Sequence, residues 1–377
     1  MKYMNCLNKK KKLTILLTST THPMATEPQK YFLNIKLLLL LCCASYQTSK
    51  AQSFFADSLL QPVPGTDSNY IARFKLSNEV RFVYGGSDFS MLWGSSKADN
   101  NTKAANFSSN SNDYMGLGLT YKFIDADVTL ALRNSALFPF ERKTLRQFKL
   151  AAGFMATNNM HLRFYVNRYK GLIAFTNEGD FRSDPQLRFF KTGAQLTYVF
   201  NKERFSYRAF YSQSELQRQS AGSFLIRSEP FYQHFFTNGR LVPDSLDTEE
   251  LYGKQQELQK LSQLGWCIMP GYGYNYVFNN NRLYVCTNLF LGVSYTTNYY
   301  TSGTTGRHMA LRLGSGVLFN LSVGYNWKHM YADLRGTLQS YNQPLKPAYI
   351  YTNWPTAGLT IGYRFNYLED RIPTSLF

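Results

Sequence analysis

The chain has few residues of the types that commonly perform catalysis. Four histidines follow the first 51 residues: His161, His234, His308 and His329. None of them stands in a serine or cysteine motif that predicts an acyl-transfer dyad. We therefore predict no catalytic residue, and we expect the protein not to be an enzyme.

Two cysteines, Cys267 and Cys286, flank a predicted turn at Asn279. If the flanking segments pair as a hairpin, the two thiols lie roughly 20 Å apart along it, at about 3.3 Å per residue. A disulfide needs Cα atoms within about 7 Å, so we predict two free thiols in the interior of a barrel. The spacing of cysteine and histidine matches no metal site, and we predict no metal and no cofactor.

One enzymatic alternative stays open. Membrane-embedded lipid hydrolases place a serine and a histidine on the outer wall of a barrel, so a barrel-embedded lipid-modifying hydrolase or acyltransferase is the alternative to a non-enzymatic barrel. A histidine and a serine or aspartate within hydrogen-bond reach at the outer-leaflet rim would favour it.

A larger set of chemically active residues consists of charged side chains that alternate with apolar ones and are predicted to face a barrel lumen. They are Glu79, Arg81, Lys122, Asp127, Arg133, Arg163, Arg208, Arg282, Arg312, Asp333, Arg335 and Arg364, with Lys149 and Lys191 on the same faces. Such a lumen could select anions or bind a ligand. Charges in a water-poor lumen usually pair, so a plugged lumen of paired charges is the favoured interpretation.

Strands with a two-residue period must position these charges. Val80, Phe82 and Tyr84 alternate with Glu79, Arg81 and Val83, and further alternating runs cover residues 311–325 and 357–365. Repeated segments of this kind predict a transmembrane, antiparallel, up-and-down β-barrel, because a bilayer offers no partner for backbone N–H and C=O groups. A soluble secreted β-barrel or sandwich is the rival, but its polar face would carry more lysine and glutamate.

Short turns alternate with long loops along the chain. Short turns are predicted at Asp125, Asn158, Asn201, Asn279 and near Lys328. The longer connections at 94–112, 135–145, 175–186, 237–263, 297–308 and 342–355 then fall on one side, which is typical of short periplasmic turns and long extracellular loops. A reversal at Glu229–Pro230 keeps this order and gives about 14 strands, with 12 as the alternative.

Composition agrees with a lipid-facing barrel. Aromatic residues make up 16% of the 377 residues and charged residues only 17%, against an ordinary charged fraction of about 25%. The net charge is +17, and residues 1–51 contribute eight lysines and one glutamate to it. The basic residues after residue 51 are dispersed along the strands instead of clustered, so we predict no nucleic-acid binding. We expect contact with outer-membrane lipid and lipopolysaccharide and assistance from the barrel-assembly machinery, and the sequence identifies no small-molecule ligand.

The first 51 residues are predicted to be a leader. Residues 1–23 resemble an upstream extension, and residues 24–51 have the charged, apolar and small-residue regions of a signal peptide. Cleavage is expected between Ala51 and Gln52. We predict that the exported protein is located in the outer membrane. Residues 52–70 are predicted as a periplasmic lead-in, 71–366 as the barrel and 367–377 as a periplasmic tail.

Residues 201–226 are predicted to hold a periplasmic turn, an ascending strand over 205–212 and the start of a descending strand in the run Ser223–Arg227. In that interpretation Arg208 faces the lumen, Tyr207 and Tyr211 face lipid, and the reversal at 214–220 lies on the outer face.

The segment 204–225, reading RFSYRAFYSQSELQRQSAGSFL, resembles a Bacteroidetes family catalogued as domain of unknown function 4421. The segments Tyr165–Gly171 and Pro270–Tyr274 resemble it too, and the likeness extends over about residues 67–366. The resemblance implies an outer-membrane barrel and carries no catalytic residue to this chain. We therefore predict a non-enzymatic outer-membrane barrel that structures the envelope, binds a solute or ligand, or forms a small pore.

Overall fold

A computed structural model describes residues 59–95, 104–109, 113–132, 146–176, 181–183, 187–237, 258–278, 280–302, 307–345 and 348–365. The predicted leader and tail lie outside these residues, so the cleavage site and the domain boundaries stay predictions.

The described residues form nineteen strands and one short helix, α1 (Tyr207–Tyr211). The strands are β1 (Leu60–Gln61), β2 (Ile71–Phe74), β3 (Asn78–Ser87), β4 (Ser90–Ser95), β5 (Ala105–Ser109), β6 (Asp113–Tyr121), β7 (Ile124–Ala131), β8 (Arg146–Thr157), β9 (Met160–Lys170), β10 (Leu172–Thr176), β11 (Phe181–Ser183), β12 (Arg188–Val199), β13 (Glu215–Gln217), β14 (Ala221–Phe236), β15 (Leu258–Phe278), β16 (Leu283–Ser302), β17 (Arg307–Asn326), β18 (Met330–Pro344) and β19 (Ala348–Phe365).

Twelve of these strands form a closed antiparallel barrel. The order is β3, β6, β7, β8, β9, β12, β14, β15, β16, β17, β18 and β19, and β19 pairs with β3 to close the sheet. Because the sheet is closed, each of the twelve strands pairs with a neighbour on both sides, and a sheet that spans a membrane requires this pairing of its backbone groups. The all-β prediction is confirmed with 12 strands, and the count of 14 is wrong because Ala221–Phe236 is one unbroken strand of 16 residues. The reversal predicted at Glu229–Pro230 does not exist.

The barrel exterior is apolar. Val80, Phe82 and Tyr84 on β3 are 43%, 44% and 46% exposed, and Leu311 and Leu313 on β17 are 47% and 68% exposed. Large apolar side chains are exposed on successive strands. This is typical of a barrel wall that faces lipid. The chain therefore folds as a transmembrane barrel with its polar residues turned inward.

The two ends of the barrel differ. One end, here the turn end, contains the tight connections at residues 122–123, 158–159 and 327–329. The opposite end is here called the loop end. The connections between strands at that end lie mostly outside the described residues. The connection at 345–347 between β18 and β19 is short, so the long loop predicted at 342–355 is wrong: both strands extend further than the alternating pattern suggested.

Residues 201–220, here the plug segment, fold into the lumen at the turn end instead of forming a strand pair. Ser206 caps α1, because its hydroxyl accepts a hydrogen bond of 3.0 Å from the Ala209 amide. After the helix, β13 joins β1 and β2 in a small three-stranded sheet. Within the described residues no helix is long and apolar enough to span a membrane.

The predicted strand over 205–212 and the outward reversal at 214–220 are therefore wrong. Tyr207, Phe210 and Tyr211 have a spacing of three and four residues as well as an alternating pattern, and a segment this short cannot separate the two periods. Tyr207 is only 2% exposed, because it points into the lumen and not toward lipid. Ser223–Arg227 does lie in a strand, as part of β14.

Four short strands occupy the loop end. The outer part of β19 pairs with β4 instead of β3, and β5, β10 and β11 continue from β4. Gly171, at φ +79°, turns the chain from β9 into β10. The buried rings of Phe89, Tyr169, Phe189, Phe235 and Trp354 pack together there, with centroids 4.6 to 5.3 Å apart between the nearest pairs. We call these five residues the aromatic layer.

Candidate functional site

A continuous chain of ion pairs crosses the inner face of β3, β7 and β9. Arg81 contacts Glu79 at 2.5 Å and Asp127 at 2.6 Å. Arg163 contacts the other oxygen of Asp127 at 2.7 Å and reaches Asp125, also at 2.7 Å. Each guanidinium binds two carboxylates, so both cations are compensated within the barrel wall.

A second compensated pair connects the wall to the plug segment. The Arg335 guanidinium binds both oxygens of Asp333 at 2.8 Å through Nε and Nη2, and Tyr284 donates to the same carboxylate at 3.0 Å. Arg335 Nη1 also donates to the carbonyl of Tyr211 in α1 at 3.1 Å. The pair therefore holds the plug segment as well as its own charges.

Glu229 is the centre of a third cluster. Its carboxylate accepts hydrogen bonds from Tyr165 at 2.7 Å and Tyr341 at 3.0 Å, and Lys191 Nζ lies 3.3 Å away. Lys191 Nζ also lies 4.1 Å from the ring centroid of Tyr341 and 4.8 Å from that of Trp354. Glu229 was missed because it was assigned to a reversal, although Ser223, Leu225, Arg227 and Glu229 share one alternating face.

The predicted lumen residues fall into two groups. Eight lie on inward strand faces: Glu79, Arg81, Asp127, Arg163, Arg312, Asp333, Arg335 and Arg364. Arg364 is fully buried at the turn end, where it donates to the Gln213 carbonyl at 3.0 Å and to Asn326 Oδ1 at 2.7 Å. It therefore anchors the plug segment instead of facing an open lumen.

The remaining predictions need correction. Lys122, at φ +54°, lies in the β6–β7 turn, because the turn comes before Asp125 and not at it. Arg282 lies in the β15–β16 turn and donates to Tyr325 at 3.1 Å. Arg208 belongs to α1 and not to a strand, and Arg133 lies outside the described residues.

Arg208 connects the plug segment to the turns of the wall. Its guanidinium donates to the carbonyls of Lys122 and Met155, and its Nε lies 3.7 Å from Glu215. Burial lowers the pKa of Arg208, and Glu215 opposes that shift. An arginine stays charged after such a shift, since its ordinary pKa is above 12, so Arg208 acts as a fixed cation at the turn end.

A cavity of about 340 Å³ lies between the plug segment and the aromatic layer. Tyr207, Phe210 and Tyr211 line it on one side, and Tyr169 and Trp354 on the other. Its charged lining residues are Arg81, Asp127, Lys149, Arg163, Arg227 and Arg335. Five cations and one carboxylate give the cavity a cationic wall.

Two of these cations have no carboxylate within 4.0 Å in the part of the chain that the structure describes. Lys149 Nζ donates to Ser87 at 2.8 Å and lies between the rings of Tyr114 and Tyr169, 5.6 and 5.9 Å from their centroids. Arg227 donates to Thr197 and Tyr207, at 3.3 Å each. Both cations therefore have donor capacity for a further acceptor.

The aromatic layer adds two neutral groups to the same wall. Trp354 Nε1 and Tyr169 Oη are buried close to each other, with Ser87 as a second polar neighbour of Tyr169. Neither atom makes a hydrogen bond of good geometry within the described residues. A buried donor without an acceptor costs roughly 1–3 kcal/mol. The cavity therefore presents several donors, both charged and neutral, that an acceptor-rich molecule could satisfy.

The histidines and cysteines have separate surroundings. His161 lies 3.5 Å from Asp125 inside the barrel, His329 lies in the β17–β18 turn, and the side chain of His308 is outside the described part. Cys267 and Cys286 are buried and free, as predicted. The described residues contain no cluster of metal ligands.

The structure brings one histidine and one serine together on the outer wall. His234 on β14 and Ser262 on β15 are directly opposite in the register, with 2.8 Å between Nδ1 and Oγ. This is the arrangement that favours the enzymatic alternative.

Comparisons with known proteins give a family and a set of distant barrels. The model of a family described as domain of unknown function (DUF4421) matches residues 65–365. No curated protein matches the chain. Among solved structures, the outer membrane protease OmpT from Escherichia coli is 8% identical, with 76% of this chain and 96% of that chain covered and a TM-score of 0.38.

Two further solved barrels are similarly distant. The translocator domain of autotransporter NalP from Neisseria meningitidis is 11% identical, with 76% of this chain and 88% of that chain covered and a TM-score of 0.34. The P. putida toluene transporter TodX is 9% identical, with 77% and 90% covered and a TM-score of 0.28. Likeness at this level carries no argument about function, which must come from the residues of this chain.

Proposed function

This chain belongs to the family described as domain of unknown function DUF4421, and from that premise we propose that it is an outer-membrane barrel that binds a small organic anion in its central cavity. Its lumen acts as a binding site and performs no catalysis. A bacterial source among the Bacteroidetes and export by a signal peptide cleaved between Ala51 and Gln52 are part of this proposal.

The apolar wall supports the location. Exposed leucine, phenylalanine and tyrosine side chains on successive strands match the hydrocarbon core of a bilayer. In the outer membrane the turn end faces the periplasm and the loop end faces outward. Lipid and lipopolysaccharide cover the wall, and the barrel-assembly machinery inserts the folded strands.

The excess of cations around the cavity is the main observation in favour of an anionic ligand. A buried charge without a partner is costly, yet neither Lys149 nor Arg227 has a carboxylate within 4.0 Å in the described residues that line the cavity. Glu229, the acidic neighbour of Arg227, is bound to Lys191 instead. An anion between them would complete their hydrogen bonds and balance their charge. The tyrosine and tryptophan rings on either side favour an anion with a flat apolar part.

Closure of the lumen supports binding over conduction. The plug segment fills the turn end, where Arg335, Arg364 and Arg208 all donate to carbonyls across the junction between plug and wall. The aromatic layer crosses the lumen toward the loop end. Ions would have to displace both to pass, so a small pore is the weaker interpretation.

Titration calorimetry of the full-length protein in detergent tests the proposal. We use 4-hydroxybenzoate as the anionic probe and 4-hydroxybenzamide as its neutral counterpart. We expect the anion to bind and the amide to bind at least tenfold more weakly, because a hydrogen bond to a charged group contributes about 1.5–3 kcal/mol.

Lys149→Met provides the site-specific arm of this test. It should weaken binding of the anion at least tenfold and leave the amide unaffected. Lys202→Met, at an exposed lysine of the turn end, is the matched control and should bind as the wild type does. Equal affinity for the anion and the amide, or binding unchanged by Lys149→Met, would refute an anion site in this cavity.

A further inference from the structure

We propose that the outer wall of the barrel carries a site for acyl-ester cleavage, with Ser262 as the nucleophile and His234 as its base. The site faces lipid, whereas the proposed anion site lies inside the lumen, so either can exist without the other. The substrate class is an ester-linked acyl chain of a membrane lipid.

The pair has the geometry of a nucleophile and a base. His234 and Ser262 lie opposite each other on hydrogen-bonded strands, with 2.8 Å between Nδ1 and Oγ. In the tautomer that carries its proton on Nε2, the Nδ1 atom accepts the serine proton. That distance lies within the range required of a general base, about 2.6–3.2 Å.

A third group, the hydroxyl of Tyr232, extends the pair to a chain of two hydrogen bonds. The Tyr232 hydroxyl lies 3.4 Å from Ser262 Oγ on the same outward face. With Tyr232 as the donor, the serine oxygen accepts one proton and turns its own toward His234. Tyr232 is 38% exposed, so its hydroxyl can also donate to an oxyanion that forms next to the serine.

The position along the barrel suits a lipid ester. His234 lies two residues before the end of β14, and Ser262 lies four residues after the start of β15, so both are close to the loop-end rim. Tyrosine and tryptophan are typical of the interface level of a bilayer, and the neighbouring Tyr299 is 46% exposed. Ester carbonyls of lipids lie at that level.

The surrounding wall offers contacts for both parts of a lipid. Leu264 and Trp266 follow Ser262 on the outward face of β15 and are 57% and 53% exposed, which gives acyl chains an apolar surface. Lys260 precedes it on the same face, with its Nζ 5.3 Å from the centroid of Phe236. Its ammonium group is placed to contact a phosphate at the rim.

In the parts of the wall that the structure describes, other outward polar residues lack this combination. Ser228 accepts a hydrogen bond from Trp266 Nε1 at 2.8 Å and has no histidine partner. His161 lies inside the barrel next to Asp125. Ser228 is therefore a matched control, since it is a serine on the same wall without a base.

The reaction balances without an added oxidant or metal. Ser262 Oγ attacks the ester carbonyl carbon while its proton moves to His234 Nδ1, and the tetrahedral oxyanion collapses to an acyl-serine. The alcohol of the lipid leaves with the proton from His234. Water then attacks the acyl-serine with His234 as base, which releases a fatty acid and restores Ser262.

Fatty-acid release from reconstituted full-length protein tests the activity. One set of vesicles contains phosphatidylethanolamine and phosphatidylglycerol, and a second also contains lipopolysaccharide, which separates the two sources of ester. We expect release from at least one set, with Ser262→Ala and His234→Gln each slower by on the order of 100-fold or more and Ser228→Ala unchanged.

A fluorophosphonate probe gives a second measurement that does not depend on the choice of lipid. Intact-mass and peptide analysis should find one adduct, on Ser262, and none in Ser262→Ala. Release that persists in Ser262→Ala would overturn the proposal. So would a wild-type protein that releases no fatty acid from either vesicle and takes up no probe, because the pair would then be a cross-strand hydrogen bond only.

Discussion

At the scale of single residues, the lumen separates compensated charges from uncompensated ones. Arg335 is bound by both oxygens of Asp333, whose side chain is fully buried. Among the described residues Lys149 has only the Ser87 hydroxyl as a hydrogen-bond partner, and it lies against two aromatic rings. A compensated charge stabilises its neighbours, whereas an uncompensated one costs stability and is retained for another reason.

This difference predicts opposite effects on stability. Arg335→Met leaves the Asp333 carboxylate buried without its cation, so we expect the free energy of unfolding to fall by about 3 kcal/mol. Lys149→Met removes an unpaired cation and should leave that free energy unchanged or raise it. Urea unfolding of both variants in lipid vesicles measures this, and a loss of stability in Lys149→Met as large as in Arg335→Met would contradict the distinction.

At the scale of elements, small residues let large inward side chains fit between strands. Tyr331 on β18 and Gly362 on β19 are directly opposite in the register. A Cβ atom at Gly362 would lie 2.1 Å from the Tyr331 ring, whereas one at the outward Gly336 would meet nothing closer than 3.9 Å. The inner face at this level has no space for a further methyl group.

We therefore expect Gly362→Ala to lower the free energy of unfolding by about 1–3 kcal/mol, because overpacking forces side chains from their preferred rotamers. Gly336→Ala is the matched control on the neighbouring strand and should change it by less than about 0.5 kcal/mol. Urea unfolding compares the two, and equal effects would show that Tyr331 moves aside without cost.

The sequence predicted the wall better than the interior. The alternation of Val80, Phe82 and Tyr84 identified lipid-facing positions correctly, because each strand has one apolar face and one polar face. The same rule failed at 205–212, where aromatic residues pack inside the lumen as a helix. Alternation reports that a face is apolar and does not report whether lipid or protein covers it.

The site was predicted only in part for a related reason. The inward direction of charged residues such as Arg81 and Asp127 can be predicted from the sequence, because alternate residues of a strand face the same side. Their pairing depends on which strands are neighbours and in what register, and a wrong reversal at Glu229 shifted that register. The cavity itself depends on the plug segment, whose contacts with Arg335 and Arg364 join residues more than 100 positions apart.

At the scale of the whole molecule, the barrel is closed by its own chain. The plug segment seals the turn end, and the aromatic layer narrows the lumen toward the loop end, with the cavity between them. This arrangement predicts a protein that binds a solute without passing ions.

Planar-bilayer recording of the purified protein tests the closed state. We expect no stable conductance from the wild type, because the plug segment and the aromatic layer block the path. Replacement of residues 203–218 by a glycine-serine linker, combined with Phe189→Ala and Trp354→Ala to open the aromatic layer, should produce stable channels. Steady conductance from the wild type would contradict the closed barrel.

We propose above all that an organic anion occupies the cavity beside Lys149. A crystal structure of the full-length protein with 4-bromobenzoate tests it most directly, because anomalous scattering locates the bromine atom. We predict one bromine peak between Lys149 and Trp354, and no peak there in crystals of Lys149→Met. Bromine only on the outer wall, or no bromine peak in wild-type crystals, would contradict an anion site beside Lys149.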